Sequence, residues 1–106
     1  MSLVVLVTVP DFETARRMGH TLVGERLAAC VNIVPGLTSI YHWEGEVAED
    51  SELLLLIKTR RERYGALEAR IKELHPYTLP EVLALPVYNG SVDYLRWIAA
   101  SVDLLE

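Results

Sequence analysis

The sequence predicts one α+β domain, a single sheet layered with helices, in the element order βαββαβα. Three observations carry that expectation. Residues 3–9 form a continuous apolar run rich in β-branched side chains, the mark of a strand buried on both faces. Two later segments repeat apolar residues at three- and four-residue spacing, as amphipathic helices do. Between them, residues 28–43 and 46–59 read as two long strands joined at Glu44-Gly45, where glycine accepts the left-handed backbone a tight hairpin needs.

The elements follow in order. Asp11 is placed to cap a helix whose apolar stripe is Phe12, Ala15, Met18 and Leu22, extending toward Arg26. Pro35-Gly36 interrupts the first hairpin arm. Proline donates nothing to a central ladder, so this arm is expected at a sheet edge with a bulge, and the 53–57 run in the centre. Tyr64, Leu67, Ile71 and Leu74 mark a second helix that stops near His75, because Pro76 disfavours helical geometry before it. Residues 81–87 return as a strand. Asn89-Gly90 turns the chain, Ser91 caps, and Leu95, Ile98, Val102 and Leu105 draw the stripe of a C-terminal helix.

This order suggests a ferredoxin-like βαββαβ sandwich with a long hairpin and an extra C-terminal helix, strands one and three being central. Apolar side chains fall on both faces of the central strands, while the helices cover one. The hairpin is also long: about fourteen residues at ~3.3 Å each span roughly 45 Å. Arms of that length project from a compact monomer, and an oligomer absorbs them.

At 106 residues, 51% hydrophobic and 24% charged, residues 1–106 make one domain with a real core. A net charge of -5 argues against nucleic acid and anionic membrane as partners and favours cations or basic surfaces. The apolar run at the start lacks a basic leader and is too short to span a bilayer. With Cys30 as the sole cysteine, no internal disulfide forms, which fits a reducing cytoplasm.

Few residues stand out for chemistry. Ser39, Ser51, Ser91 and Ser101 sit in no nucleophile elbow and beside no marked base, and no phosphate-cradling glycine loop is present. The sequence therefore points to a binding protein, not an enzyme. Glu44, Glu46, Glu49, Asp50 and Glu52 gather hard oxygen donors at the hairpin tip, although such a tip also guards against edge-to-edge aggregation. Lys58, Arg60, Arg61 and Arg63 form one basic cluster, suited to the acidic tip of a neighbouring subunit. Tyr41, Trp43, Tyr77, Tyr88, Tyr94 and Trp97 are numerous enough to line a cleft between chains. His20 and His42 read as surface residues, Cys30 as a buried inert thiol, and His75 as a helix cap or a metal ligand.

Five ordered blocks carry a resemblance: ERLAACVNIVPG at 25–36, TSIYHWEGEV at 38–47, LLLIKT at 54–59, HPYTLPEVLALPV at 75–87 and YLRWI at 94–98. Together they resemble the CutA divalent-cation tolerance proteins. The resemblance implies a cytoplasmic homotrimer with its hairpins at the subunit interfaces, an architecture similar to the PII signalling proteins. It also implies a part in the response to metal ions, with no cofactor required and with copper or another divalent cation as partner. Copper binding attributed to some members uses a first-strand cysteine and two adjacent histidines. Those positions are Val7, Leu74 and His75 here, so only His75 carries over. An alternative follows from the same blocks: a small-molecule sensor whose intersubunit cleft uses Trp43, Lys58, Tyr77 and Glu81.

Overall fold

The computed structural model describes residues 1–104. Strand β1 (Ser2–Val9) leads into helix α1 (Phe12–Gly24), followed by the hairpin strands β2 (Cys30–Trp43) and β3 (Glu46–Arg60), helix α2 (Arg61–Leu74), strand β4 (Leu83–Pro86) and helix α3 (Val92–Ser101). The strands form one antiparallel sheet in the order β2-β3-β1-β4. This puts strands one and three in the centre and the proline-bearing arm at an edge, as its missing donor demands. The ladder between β2 and β3 shifts register between Val34 and Leu37, so Pro35-Gly36 is accommodated by a bulge. At the hairpin turn both Glu44 (φ 50°) and Gly45 (φ 80°) are left-handed, the twist that a two-residue connection needs.

Register fixes what each face carries. Val5, Val7 and Val9 of β1 lie opposite Ile57, Leu55 and Leu53 of β3. This face is sealed by Ala15, Met18 and Leu22 of α1 with Leu67 and Ile71 of α2. The Asp11 carboxylate starts α1 by accepting from the Thr14 N–H at 2.7 Å. Phe12 departs from the expected stripe: it is 57% exposed, and Thr14 occupies the buried first turn instead. Arg26 lies beyond the helix, in a left-handed backbone.

The opposite face pairs Thr8, Leu6 and Val4 with Leu54, Leu56 and Lys58, and on across to Val34, Asn32, Cys30, Leu83 and Leu85. Helix α3 forms a separate small cluster in which Leu95, Ile98 and Val102 pack with Ala29. Beyond that cluster the face stays open, and Leu83 and Leu85 are each at least half exposed. The expected Leu105 contact lies outside the described residues. Strand β4 is shorter than the 81–87 run predicted: residues 81 and 82 belong to the segment after α2, and ladder pairing covers only Leu83–Pro86. The hairpin does project, giving extents of 49 × 26 × 23 Å.

Candidate functional site

A concavity of about 840 Å³ lies where the far half of the hairpin meets the segment between α2 and β4. Its walls include Tyr41 and Trp43 from β2, Asp50 and Glu52 from β3, and Tyr77 and Glu81 from the connecting segment. Strand alternation explains the hairpin's share: Ser39 pairs with Asp50 and Leu37 with Glu52, so Tyr41, Asp50 and Glu52 project from one face. The Tyr41 hydroxyl donates to Asp50, and the Tyr77 hydroxyl donates to Glu52 Oε2 at 2.8 Å.

Glu52 is 8% exposed, unusual for a carboxylate with no cationic partner. Burial, then the charge of Glu52, raises the Glu81 carboxyl above the usual glutamate range. Burial and the bond to Glu52 push the Tyr77 hydroxyl well above the tyrosine range. The bond to Asp50 raises Tyr41 similarly. Among the described residues no lysine or arginine lines the groove, and His42 is its one basic side chain. The groove is therefore an acidic, aromatic-walled cleft whose carboxyl groups are held close by tyrosine hydroxyls.

His75 builds this cleft from beneath. Pro76 ends α2, and the His75 side chain turns inward, 7% exposed. Its Nδ1 accepts the Tyr77 backbone N–H at 3.1 Å, which requires that nitrogen to be unprotonated. Nε2 therefore carries the hydrogen and donates to the Thr8 carbonyl at 2.7 Å. The ring also packs on Tyr77, centroids 4.6 Å apart. Both nitrogens are spent on backbone partners, so His75 presents no free lone pair to a copper ion; it pins Tyr77 in the groove wall. His75, expected as a helix cap or a metal ligand, stands here as the support of Tyr77. Val7 faces the sealed core and Leu74 packs against it. Among the described residues no three His, Cys, Asp or Glu side chains converge to hold a metal. The residues present do not fit a tight copper site.

Of the four residues expected in a cleft between subunits, Trp43, Tyr77 and Glu81 line one groove of the single chain. Lys58 does not. It lies six residues along β3 from Glu52, where its ammonium donates to Asn32 and stands 3.9 Å from Cys30 Sγ. Cys30 is accordingly half-buried beside a charge, not sealed in a core. The basic cluster is largely engaged within the chain: Arg60 contacts Glu62, and Arg63 Nε donates to the Val102 carbonyl. Tyr94 and Trp97 pair on α3, and Tyr88 is 95% exposed, all outside the groove. Asp50 and Glu52 had read only as members of the acidic tip; alternation places them on the Tyr41 face, but nothing in the sequence brings Tyr77 to them.

The fold defines a class, a mixed α+β protein with a four-stranded antiparallel sheet and three helices among the described residues. Within that class the chain belongs to the CutA family: residues 3–101 match the family described as CutA1 divalent ion tolerance protein. It is 60% identical over 98 residues to the divalent-cation tolerance protein CutA of Thermus thermophilus, covering 92% of this chain and 95% of that protein. The solved structure of that tolerance protein superposes with a TM-score of 0.91. CutA1 from Oryza sativa is 50% identical, with a TM-score of 0.92 over 94% of this chain and 92% of that one. The protein described as the periplasmic divalent cation tolerance protein CutA from Archaeoglobus fulgidus is 35% identical, with a TM-score of 0.94 over 97% of this chain and all of that one. No helix among the described residues is long and apolar enough to cross a membrane.

Proposed function

We propose that this chain serves divalent-cation tolerance as a cytoplasmic homotrimer of PII-like architecture, a binding protein and not an enzyme, whose contact with copper or similar cations is weak. The observation that carries this reading is the open sheet face. Val34 on one edge strand of this face and Leu83 and Leu85 on the other are 40–56% exposed, apolar surface a soluble monomer leaves bare at a cost. Copies of the chain packing through this face bury it and brace the projecting hairpins. Weak metal contact follows from His75, whose nitrogens are both occupied.

Light scattering on the wild type and on Leu83→Asp tests the assembly: a trimer mass that falls in the variant supports it, and a monomeric wild type refutes it. Calorimetry with Cu(II), Cu(I) and Zn(II) tests the metal contact, and submicromolar binding lost in His75→Ala contradicts the reading.

A second reading, a small-molecule sensor, is favoured by one observation: the groove gathers Trp43, Tyr77 and Glu81 in a volume of about 840 Å³, the size of a small-molecule site. A thermal-shift screen of metabolites tests it.

A further inference from the structure

We infer that Asn89 is a site of covalent self-modification: its side-chain amide is displaced by the backbone nitrogen of Gly90, and the residue becomes aspartate or isoaspartate. The chain holds two asparagines, Asn32 and Asn89, and no glutamine, so only these two side chains have an amide to lose.

Their surroundings differ. Asn32 stands in β2 opposite Leu56, its carboxamide oxygen accepts from the Lys58 ammonium, and β-branched Ile33 follows it. The ladder holds that backbone extended, and the branched side chain crowds the nitrogen that would have to attack. Asn89 lies in the bend between β4 and α3, outside helix and ladder, and both it and Gly90 are exposed. The chain is tied at Val87, whose N–H donates to the Ser2 carbonyl at 3.0 Å, and again at Ser91, whose carbonyl accepts the Leu95 N–H at 2.9 Å. Among the described residues no hydrogen bond holds the Asn89 carboxamide or the Gly90 N–H between them. This bend follows the Pro86 end of β4, where β1 begins and Ser2 pairs with Arg60, the end of the sheet opposite the hairpin turn. Asn89 therefore lies off the hairpin and off the sheet.

The reaction needs a backbone nitrogen without a hydrogen-bond partner, a main chain that can swing it against the side chain, and no Cβ in the way. Asn89-Gly90 supplies all three. The Gly90 nitrogen gives up its proton and bonds to Asn89 Cγ, closing a succinimide ring; the bond from Cγ to the carboxamide nitrogen breaks, and ammonia leaves with that proton. Water then opens the ring. Attack at Cγ restores the ordinary main chain and leaves aspartate, whereas attack at the backbone carbonyl leaves isoaspartate, whose main chain runs through Cβ and Cγ. In sum an amide and water become a carboxylic acid and ammonia, with no oxidant or reductant. Either product places a negative charge two residues ahead of Ser91, the cap of α3. Isoaspartate also lengthens the main chain by one carbon where there is no slack: a Cβ on Gly90 would stand 3.1 Å from Leu95 Cδ2 and 3.2 Å from Leu95 Cγ. Leu95 packs on the cluster of Ala29, Ile98 and Val102 that joins α3 to the sheet, so isoaspartate at this position loosens α3.

The test is mass spectrometry on the full-length assembled protein, held for several weeks at neutral pH and physiological temperature, with a guanidinium-unfolded sample in parallel. Trypsin separates the two asparagines, since Asn32 falls in the peptide 27–58 and Asn89 in the peptide 73–96. The mass increment of NH2 replaced by OH is expected in the second peptide alone, at a rate within about tenfold of the unfolded chain's. A proteinase that cuts before aspartate but not before isoaspartate separates the products, and isoaspartate is expected in the larger share. Asn89→Gln, whose carbonyl carbon stands one bond further out, is expected to slow the conversion about tenfold or more. An Asn89 that stays intact in the folded protein while the unfolded chain converts is shielded in the assembly, and overturns the proposal. Conversion to aspartate alone, equal conversion at Asn32, or no conversion in either sample overturns it too. In the isoaspartyl form the amides of α3 are expected to exchange with deuterium about tenfold faster, whereas freshly prepared Asn89→Asp, which carries the charge without the added carbon, exchanges as the wild type does. Unchanged exchange in the isoaspartyl form overturns the loosening of α3 and leaves the modification site standing.

Discussion

Removing the His75 imidazole separates a structural pin from a metal ligand. In His75→Ala the Thr8 carbonyl loses its donor and the Tyr77 N–H loses its acceptor, both beside a side chain only 7% exposed. A buried polar group left without its partner costs about 1–3 kcal/mol. Two such groups, less what water entering the vacated space restores, give a loss of about 2–4 kcal/mol. That is a large share of the 5–15 kcal/mol typical of a domain, yet small enough to leave a folded protein. Urea denaturation followed by circular dichroism measures it, with all variants at one protein concentration because association adds to apparent stability. His75→Gln, whose carboxamide offers Thr8 a donor but cannot also place an acceptor at the Nδ1 position, is expected to lose about half as much. The folded variants are expected to bind Cu(II) as the wild type does. A loss below about 0.5 kcal/mol, the level of an ordinary surface change, refutes the pin. So does a folded His75→Ala that no longer binds Cu(II).

Three further outcomes follow from the groove and the hairpin. Tyr77→Phe removes the donor to Glu52 Oε2 and is expected to cost about 1–2 kcal/mol in the same denaturation assay; no change means that water replaces the hydroxyl fully. Glu81 has its folded pKa raised, by burial and by Glu52, so its ionisation opposes folding: the contribution is favourable below the usual glutamate range and is lost as pH rises through the raised value. Glu81→Gln is therefore expected to be more stable than the wild type at neutral pH and indistinguishable from it once pH falls below the usual glutamate range, and a pH-independent difference contradicts this. Glu44 holds a left-handed backbone at the turn, so Glu44→Asn is expected to stabilise by about 0.5–1 kcal/mol, and a lower melting temperature in the variant rules the strain out.

Much of this was legible because it is local. The unbroken apolar run at 53–57, which burial on both faces imposes, and the i, i+3, i+4 stripe of Ala15, Met18 and Leu22, which burial on one face imposes, can be read without knowing the partner surface. Pro35-Gly36, Glu44-Gly45, Ser91 and Pro76 mark a bulge, a turn, a cap and a helix stop through backbone constraints intrinsic to those residues. Phe12 misled because a helix's first residue need not join the stripe below it; Asp11 sets the entry angle, and Thr14 fills the buried place.

By itself, then, the sequence determined the order of elements, the edge and central strands, the two-faced apolarity of the sheet and, through five ordered blocks, the family. Only the tertiary structure decided what meets what. Tyr77 and Glu52 stand 25 residues apart and His75 and Thr8 67 apart, and their contact depends on the register of β1 with β3 and on the path from α2 to β4. The same register carries Lys58 away from the groove that Trp43, Tyr77 and Glu81 share. Spacing along the chain reports the face on which a side chain stands. Which distant side chain it touches is set by the packing of whole elements, and that convergence sets His75 between the Thr8 carbonyl and the Tyr77 N–H.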